Sequence, residues 1–491
     1  MLTTNIPDEM TEIACNTMQE HHLETEFTAE AQHQAETLQE AHHSSSSHMR
    51  DMREMLWFSV DNEDSKDLDQ LTYAEQLPDG HYKIYVAIAD VDTLVKKGSP
   101  IDQRAQKNTT SVYTPTKVFS MLPERLSTDL TSLKQGAERL AIVVEVEVGV
   151  DGSEGSYRIY RAIVRNHAKL AYPSLANALE EKTPMPSAVI QVKGLEQQIR
   201  LQDSIAQLLK SYRNNQGALT LEVIEPQPEI QENRVVDIKI TEMNRAKELI
   251  EEFMILANMA VAQFFKEHHQ PSLRRVVRTP KRWDRIVEIA QEKGETLPIE
   301  PNSKALDLFL IKERLLSRDT FPDLSLTIIK LLGRGEYIVA YPHTLSPGHF
   351  SLALKDYTHF TAPNRRFPDL VSQRILKATL ENRPSPYSSQ ELEQIAQHCT
   401  SQEDVVTKVE RKMKKSASIL LLENRIGEAF QAIVTGASEK GVWVRLFHPP
   451  VEGKLVRGGE KVDVGDKLTV TLTRVDLEKG FIDFIATDNK V

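Results

Sequence analysis

The chain has 491 residues, 40% hydrophobic and 27% charged, with a formal net charge of −11. That length exceeds one compact core and predicts two or three domains of a soluble, globular kind. No apolar run approaches the roughly 18 to 20 residues needed to span a bilayer, and the opening MLTTNIPDEM carries no basic stretch followed by an apolar core, so neither membrane nor secretion is expected. Two cysteines, Cys15 and Cys399, exclude a disulfide framework and lack zinc-site spacing, which places the chain in the reducing cytoplasm. Net acidity alone argues against a nucleic-acid partner. The charge is segregated, however: basic runs occupy residues 274–285, 364–374 and 408–415. Each is either a phosphate contact or an ordinary solvated helix face.

In chain order, residues 1–53 are rich in Glu, Gln, Ser and His and poor in large apolar residues, which predicts a disordered or marginally helical segment. Six of the fifteen histidines lie there, including His21, His22 and His33; an uncommitted tail explains them better than a metal-binding tract. From about residue 55, LWFSV, HYKIYVAIADV and RLAIVVEVEV (139–148) alternate and are β-branched, as strands are. Residues 243–265 predict a helix with Ala246, Leu249, Ile250, Phe253, Met254, Ala257, Ala260, Val261 and Phe264 on one face. RFPDLVSQRILKATLE predicts another, with Pro368 in its first turn. From near Ile426, short alternating strands separated by SEKG, VGD and LEKG suit a five-stranded OB barrel.

The sharpest local signal is DNEDSKDLDQ (61–70), in which Asp61, Asp64, Asp67 and Asp69 crowd together just after a strand. Carboxylates at that density raise one another's pKa. A site for Mg²⁺ resolves the conflict, because hard cations take oxygen ligands and can clamp a phosphodiester; a solvated acidic turn is the alternative. Asp67 and Asp69 are two apart, so an extended backbone points both the same way. The segment lacks the mid-loop Gly and terminal Glu of an EF-hand. YTHFTAPNRRFPDL (357–370) adds Arg365 and Arg366, which suit phosphate recognition by a planar fork. Arg366 is equally suited to pairing with Asp369. SVYTPTKVFSMLPERLSTDLTSL (111–133) places Tyr113 in a Pro-punctuated loop, where it either stacks on a base or packs.

The acidic run with IADV (88–91), the SVYTP…MLPERLS…SL segment and HFTAPNRRFPDL, in this order, resemble the catalytic domain of the RNase II/RNase R (RNB) family over roughly residues 55–381. The tail resembles the OB-type (ribosomal protein S-one type) RNA-binding domain that follows it there. The resemblance implies an α/β (α+β) catalytic domain with a channel for single-stranded RNA over residues 54–385, completed by a helical connector at 386–424 and followed by a five-stranded OB-fold β-barrel at 425–491. It implies a 3′-to-5′ exoribonuclease releasing nucleoside 5′-monophosphates with Mg²⁺, or Mn²⁺ in its place. By motif match, Asp61, Asp67 and Asp69 hold metal with Gln70 beside them, Asp69 and Arg365 are catalytic, and Tyr113, Arg365, Arg366, Glu410 and Trp443 bind RNA. Trp443, Val444 and Phe447, with Lys440 and Arg445 nearby, fit a stacking-and-phosphate surface.

The sequence departs from the family pattern in four places. Gln70 stands where the motif usually has a second adjacent aspartate; a neutral amide is a weaker ligand, and either Asp64 compensates or Gln70 holds a water. The loop usually reading SPIRRY is here APNRRF. Ala87 and Gln373 replace frequent histidines and read as repacking. The first 50 or so residues are too short and polar for paired cold-shock domains, so a weaker, more salt-sensitive grip on RNA is expected. The alternative to an active enzyme is a catalytically weak RNB-fold RNA-binding protein, and Gln70 is its support. Asn258 reads as a satisfied buried amide and Trp283 as core or rim.

Overall fold

A computed structural model describes residues 6–40, 49–231, 234–438, 441–460, 462–477 and 479–487. Two helices, α1 (Ile6–Glu20) and α2 (Ala29–Thr37), precede the strands β1 (Arg50–Asp51), β2 (Phe58–Asp61), β3 (Gln70–Gln76) and β4 (Tyr82–Ala89). Helix α3 (Pro100–Asn108) and a small hairpin, β5 (Val112–Tyr113) with β6 (Val118–Phe119), lead to β7 (Glu138–Val148), β8 (Glu154–Arg165) and β9 (Ala168–Ala171). All but the hairpin strands form one seven-stranded sheet in the order β1-β8-β7-β4-β3-β2-β9. It is antiparallel except at β1/β8 and β2/β9. The last six residues of β4 are consecutively buried, as expected of a central strand covered on both faces. Its register sets Gln70 opposite Ile88 and Ala89 opposite Ala141, while Asp61 lies opposite Ala171. One end of the sheet therefore gathers the acidic motif.

Helices α4 (Tyr172–Leu179), α5 (Ser187–Ile190) and α6 (Leu195–Asn215) follow, then a hairpin of β10 (Glu225–Gln231) and β11 (Arg234–Thr241). Helix α7 (Arg245–Glu267) starts at Asn244, whose side chain accepts the Lys247 N–H at 3.0 Å. Every residue of the expected apolar face is buried except the half-buried Met254. Strands β12 (Ser272–Val276) and β13 (Glu336–Ala340) pair around α8 (Trp283–Glu292), α9 (Ser303–Leu316) and α10 (Phe321–Leu332). Trp283 belongs to the apolar cluster of those three helices, and its indole donates to the Pro298 carbonyl at 2.9 Å. Helix α11 (Phe367–Leu380) is buried almost all round, with Pro368 in its first turn. Three of its polar residues are compensated: Lys377 pairs with Asp90 at 2.7 Å, Arg374 with Asp102 at 2.8 Å, and Gln373 donates to the Ala89 carbonyl at 2.7 Å.

Helix α12 (Ser389–Leu422), opened by a Ser388/Glu391 capping box, leads to the barrel. Strands β14 (Ala429–Ser438), β15 (Gly441–Leu446), β16 (Glu452–Arg457), β17 (Lys467–Asp476) and β18 (Phe481–Ala486) close in the order β14-β15-β16-β18-β17. This is the five-stranded barrel that the spacing of turns implied.

The N-terminal segment differs from its expectation. Helix α1 does not stand apart as a tail: Met10, Ala14 and Met18, four residues apart, are fully buried against Val406, Val409 and Met413 of α12. The polar composition concealed a narrow apolar stripe, too short to stabilise a free helix but sufficient once a partner helix covers it. The serine run and His42, His43 and His48 lie outside the described residues.

Candidate active site

Three sequence segments converge at the acidic end of the sheet, held mainly by backbone. The Ser132 hydroxyl donates to the Lys66 carbonyl at 2.6 Å and accepts the Leu68 N–H at 3.2 Å. The Thr131 hydroxyl donates to Asn364 Oδ1 at 2.6 Å. The Arg365 carbonyl accepts the Ser111 N–H at 3.0 Å and the Thr110 hydroxyl at 2.9 Å. The acidic loop, the 111–133 segment and the arginine loop are thus one rigid unit.

Within it, Asp61 ends β2, and its Oδ1 accepts the Asn62 N–H at 2.7 Å and the Ser65 hydroxyl at 2.9 Å. Asp69 is buried; its Oδ1 accepts the Asn364 N–H at 3.0 Å. Its Oδ2 is buried without a hydrogen bond, 3.6 Å from Arg365 Nε. Burial pushes the Asp69 carboxyl up to about 7, with Asp67 adding and Arg365 opposing. Burial also raises partly buried Asp67, again against Arg365, and Asp61 adds to the rise. Desolvation works against the half-exposed Arg365 guanidinium, but Tyr113 and the three carboxylates hold it firmly charged. Asp67 and Asp69 both act on Arg365, in keeping with their spacing of two.

Tyr113 is 41% exposed, and its hydroxyl reaches Asp67 Oδ2 at 3.5 Å. Its backbone N–H donates to Glu410 Oε1 at 3.1 Å, so α12 is tied to the same loop. Burial raises both the Tyr113 phenol, to about 12, and the Glu410 carboxyl. Asp64 is exposed on the turn and does not join the group. Gln70 is buried at the start of β3, with its amide directed at the Val60 carbonyl, 3.5 Å away.

Arg366 turns away from its neighbour. It donates to Asp369 at 2.7 Å, and the same carboxylate oxygen accepts the Ala362 N–H at 2.8 Å. Of the two roles open to it, the fold selects the partner of Asp369. Asn258 is the satisfied amide expected, donating to the Tyr357 hydroxyl at 3.1 Å and accepting the Phe360 N–H at 2.9 Å. The run at 274–285 is internal only at its start: Arg274 is buried and donates to the Ala262 carbonyl at 2.8 Å, and Arg275 pairs with Glu403, while Arg278, Lys281 and Arg282 are exposed.

On the barrel, two expectations are corrected. Val444 is fully buried in the barrel core, because β15 alternates and its neighbours Trp443 and Arg445 face outward. Arg445 is occupied by Asp323 of α10 at 2.5 and 3.2 Å and docks the barrel on the body. Half-buried Trp443 carries Lys454 Nζ 5.9 Å from its ring centre, and Phe447 carries Lys467 at 5.6 Å. Lys440 lies outside the described residues.

Two residues of the site were given no part in it from the sequence. Tyr172 opens α4 directly after β9; burial and the Asp61 charge raise its phenol, and Arg365 opposes the rise. Only the parallel β2/β9 register brings it beside Asp61. Asn364 acts through its backbone N–H, which no side-chain pattern reveals.

Among the described residues, no three His, Cys, Asp or Glu side chains form a ready metal cage. The donor set nevertheless fits Mg²⁺, which is commonly held by one or two carboxylates together with substrate phosphate and water. The buried Asp69 Oδ2, which accepts no hydrogen bond, is the observation that supports the fit.

Residues 49–382 match the RNB domain and residues 428–486 the RNase II-type exonuclease C-terminal S1 domain. Ribonuclease R of Thermotoga maritima is 32% identical, over 89% of this chain and 65% of that protein. Ribonuclease R of Aquifex aeolicus is 30% identical, over 89% of this chain and 64% of that protein. The chain thus spans a little under two thirds of the length of these relatives. Mycoplasma genitalium RNase R in complex with ribose-methylated single-stranded RNA shares the fold, with a TM-score of 0.86 at 23% identity, covering 98% of this chain and 78% of that one. With this domain match across most of its length, the chain belongs to the RNB family.

Proposed function

We propose that this chain is a metal-dependent exoribonuclease that shortens single-stranded RNA from its 3′ end and releases nucleoside 5′-monophosphates. One observation carries the reading: the buried Asp69 Oδ2, which accepts no hydrogen bond, faces the charged, half-exposed Arg365 across 3.6 Å, with Asp61, Asp67 and Tyr113 around them. Arg365 offers a planar fork to the non-bridging oxygens of the scissile phosphate, where negative charge grows in the transition state. The Asn364 N–H holds Asp69 in place, so the carboxylate costs no reorganisation when the phosphate arrives. Tyr113 presents an aromatic face for the terminal base, and Glu410 fixes its backbone. A divalent cation held by Asp61, Asp67 and Asp69, with Gln70 adjoining, supplies charge neutralisation and water activation. Trp443 and Phe447, with lysines over their rings, extend the RNA contact onto the barrel. Mg²⁺ is the expected ion and Mn²⁺ a substitute; the described helices include none long and apolar enough to cross a membrane, and the expected setting is the cytoplasm.

The test is a time course on 5′-labelled single-stranded RNA with Mg²⁺ or with EDTA, beside an Asp69→Asn variant and a 2′-deoxy substrate. Stepwise shortening from the 3′ end that needs the metal and Asp69, and spares DNA, is the expected result. Tight RNA binding without shortening in any metal would instead favour an RNA-binding protein with a weakened centre, and Gln70→Asp would be the variant to restore it.

A further inference from the structure

We infer that the N-terminal helix α1 and the strap after it are a positioning element for Tyr113: they brace the β5–β6 hairpin from behind and so set the grip on the RNA 3′ end. The inference rests on the RNA reading of the site. A hairpin of two-residue strands has too few internal contacts to hold its own shape. Side chains alternate along it, so while Tyr113 faces the site, Val112 and Phe119 point the other way. Both are buried in one cluster with Met10, Ala14 and Met18 of α1, Leu23 of the strap, and Val409 and Met413 of α12. Polar contacts grip the hairpin and its base. The Thr11 hydroxyl donates to the Thr116 hydroxyl at 3.2 Å at the hairpin turn, and Glu26 pairs with Lys117 at 3.3 Å. Asn108, just before the hairpin, accepts the Glu24 N–H at 3.0 Å and donates to the Glu24 carbonyl at 2.9 Å. Residues separated by 84 to 105 positions thus hold the turn whose other face carries Tyr113.

The same strap pairs Glu24 with Arg104 and Lys107, and Glu20 at the end of α1 pairs with Lys412. A removable acidic mask over a basic surface would use similar pairs. Three fully buried α1 residues argue for a permanent brace, since release would expose an apolar face.

Two variants test this: Met10→Asp, which undocks α1, and the milder Thr11→Val/Glu26→Gln, which removes only the polar contacts. Hydrogen exchange at residues 112–119, without RNA, should speed up about tenfold in the first and less in the second. Affinity for a short 5′-fluorescein single-stranded RNA, read by anisotropy in EDTA, should fall about fivefold in the milder variant. In a Tyr113→Ala background the same substitutions should no longer change affinity, because their effect runs through that ring. Unchanged exchange at 112–119 would sink the inference while leaving the RNA reading intact. Tighter RNA binding would show a mask and overturn it, as would an affinity loss that persists without Tyr113. A Tyr113→Ala protein that binds and shortens RNA like the parent would sink the RNA reading of this site, and the inference with it.

Discussion

Two arginine pairs in this molecule have the same sequence and opposite fates. Arg274 and Arg275 on β12 find their partners inside the chain, the first in the Ala262 carbonyl and the Ser272 hydroxyl, the second in Glu403. Arg365 and Arg366 sit on a loop that divides them. Arg366 pairs with the buried Asp369, while Arg365 stays half-exposed opposite a carboxylate oxygen that no protein donor fills. A guanidinium whose partners come from within the fold serves stability. One left facing an uncompensated carboxylate cluster and solvent is available to a phosphate. The density of arginines does not separate the two cases; the identity of their partners does.

The sharpest way to break this comparison is to remove each cation in turn. Arg365→Ala should lower RNA hydrolysis by about 10² to 10³-fold, the scale for losing one donor to a developing charge, with little change in melting temperature. Arg365→Lys should recover only part, since a point charge replaces a fork. If Arg365→Ala shortened RNA at the parent rate, the division between the two arginines would fail. Arg366→Met should act the other way, lowering unfolding free energy by about 3 kcal/mol in urea melts, because Asp369 is left buried and unpaired. Hydrolysis per folded molecule should change far less.

The comparison extends to the barrel, where Arg445 is occupied by Asp323. Arg445→Ala should destabilise the chain by about 2 kcal/mol by stranding that nearly buried carboxylate, and should open the 423–428 connection to proteolysis. Trp443→Ala should leave that connection closed and weaken RNA binding by about tenfold, as loss of one stacking platform does. Equal effects of the two variants on RNA binding would show that Arg445 does reach the phosphates.

The smallest expected effect comes from the compensated layer around Arg275. Burial pushes the His349 imidazole down to about 4, with Arg275 adding. An unfolded imidazole titrates near 6.5, so below that pH the unfolded chain binds a proton that the native chain refuses. Stability therefore falls as pH drops from about 6.5 to about 4. His349→Gln should reduce that loss by about 1 to 2 kcal/mol, allowing for the partial exposure of the ring, when urea melts at about pH 7 and about pH 5 are compared. An unchanged pH slope would remove His349 from the layer.

Much of this was legible locally. The strands at 82–89 and 138–148, the apolar face of α7, Pro368 at the start of α11 and the closing barrel all follow from short-range periodicity and turn residues. Asp61, Asp67 and Asp69 were readable as neighbours of Arg365 and Tyr113 because the order of their motifs resembles that of the family. The opposite fates of Arg365 and Arg366, the pairing of Arg445 and the burial of Val444 were not. Nor were Tyr172 beside Asp61 or the docking of α1 under the Tyr113 hairpin. The physical reason is distance along the chain. Tyr113 meets Asp67 across 46 positions, Asn364 meets Asp69 across 295, and Glu410 meets Tyr113 across 297. Local sequence chose which groups carry charge and which surfaces are apolar; only the packed sheet and its crossing loops decided which of those charges are neutralised from within and which remain for a ligand.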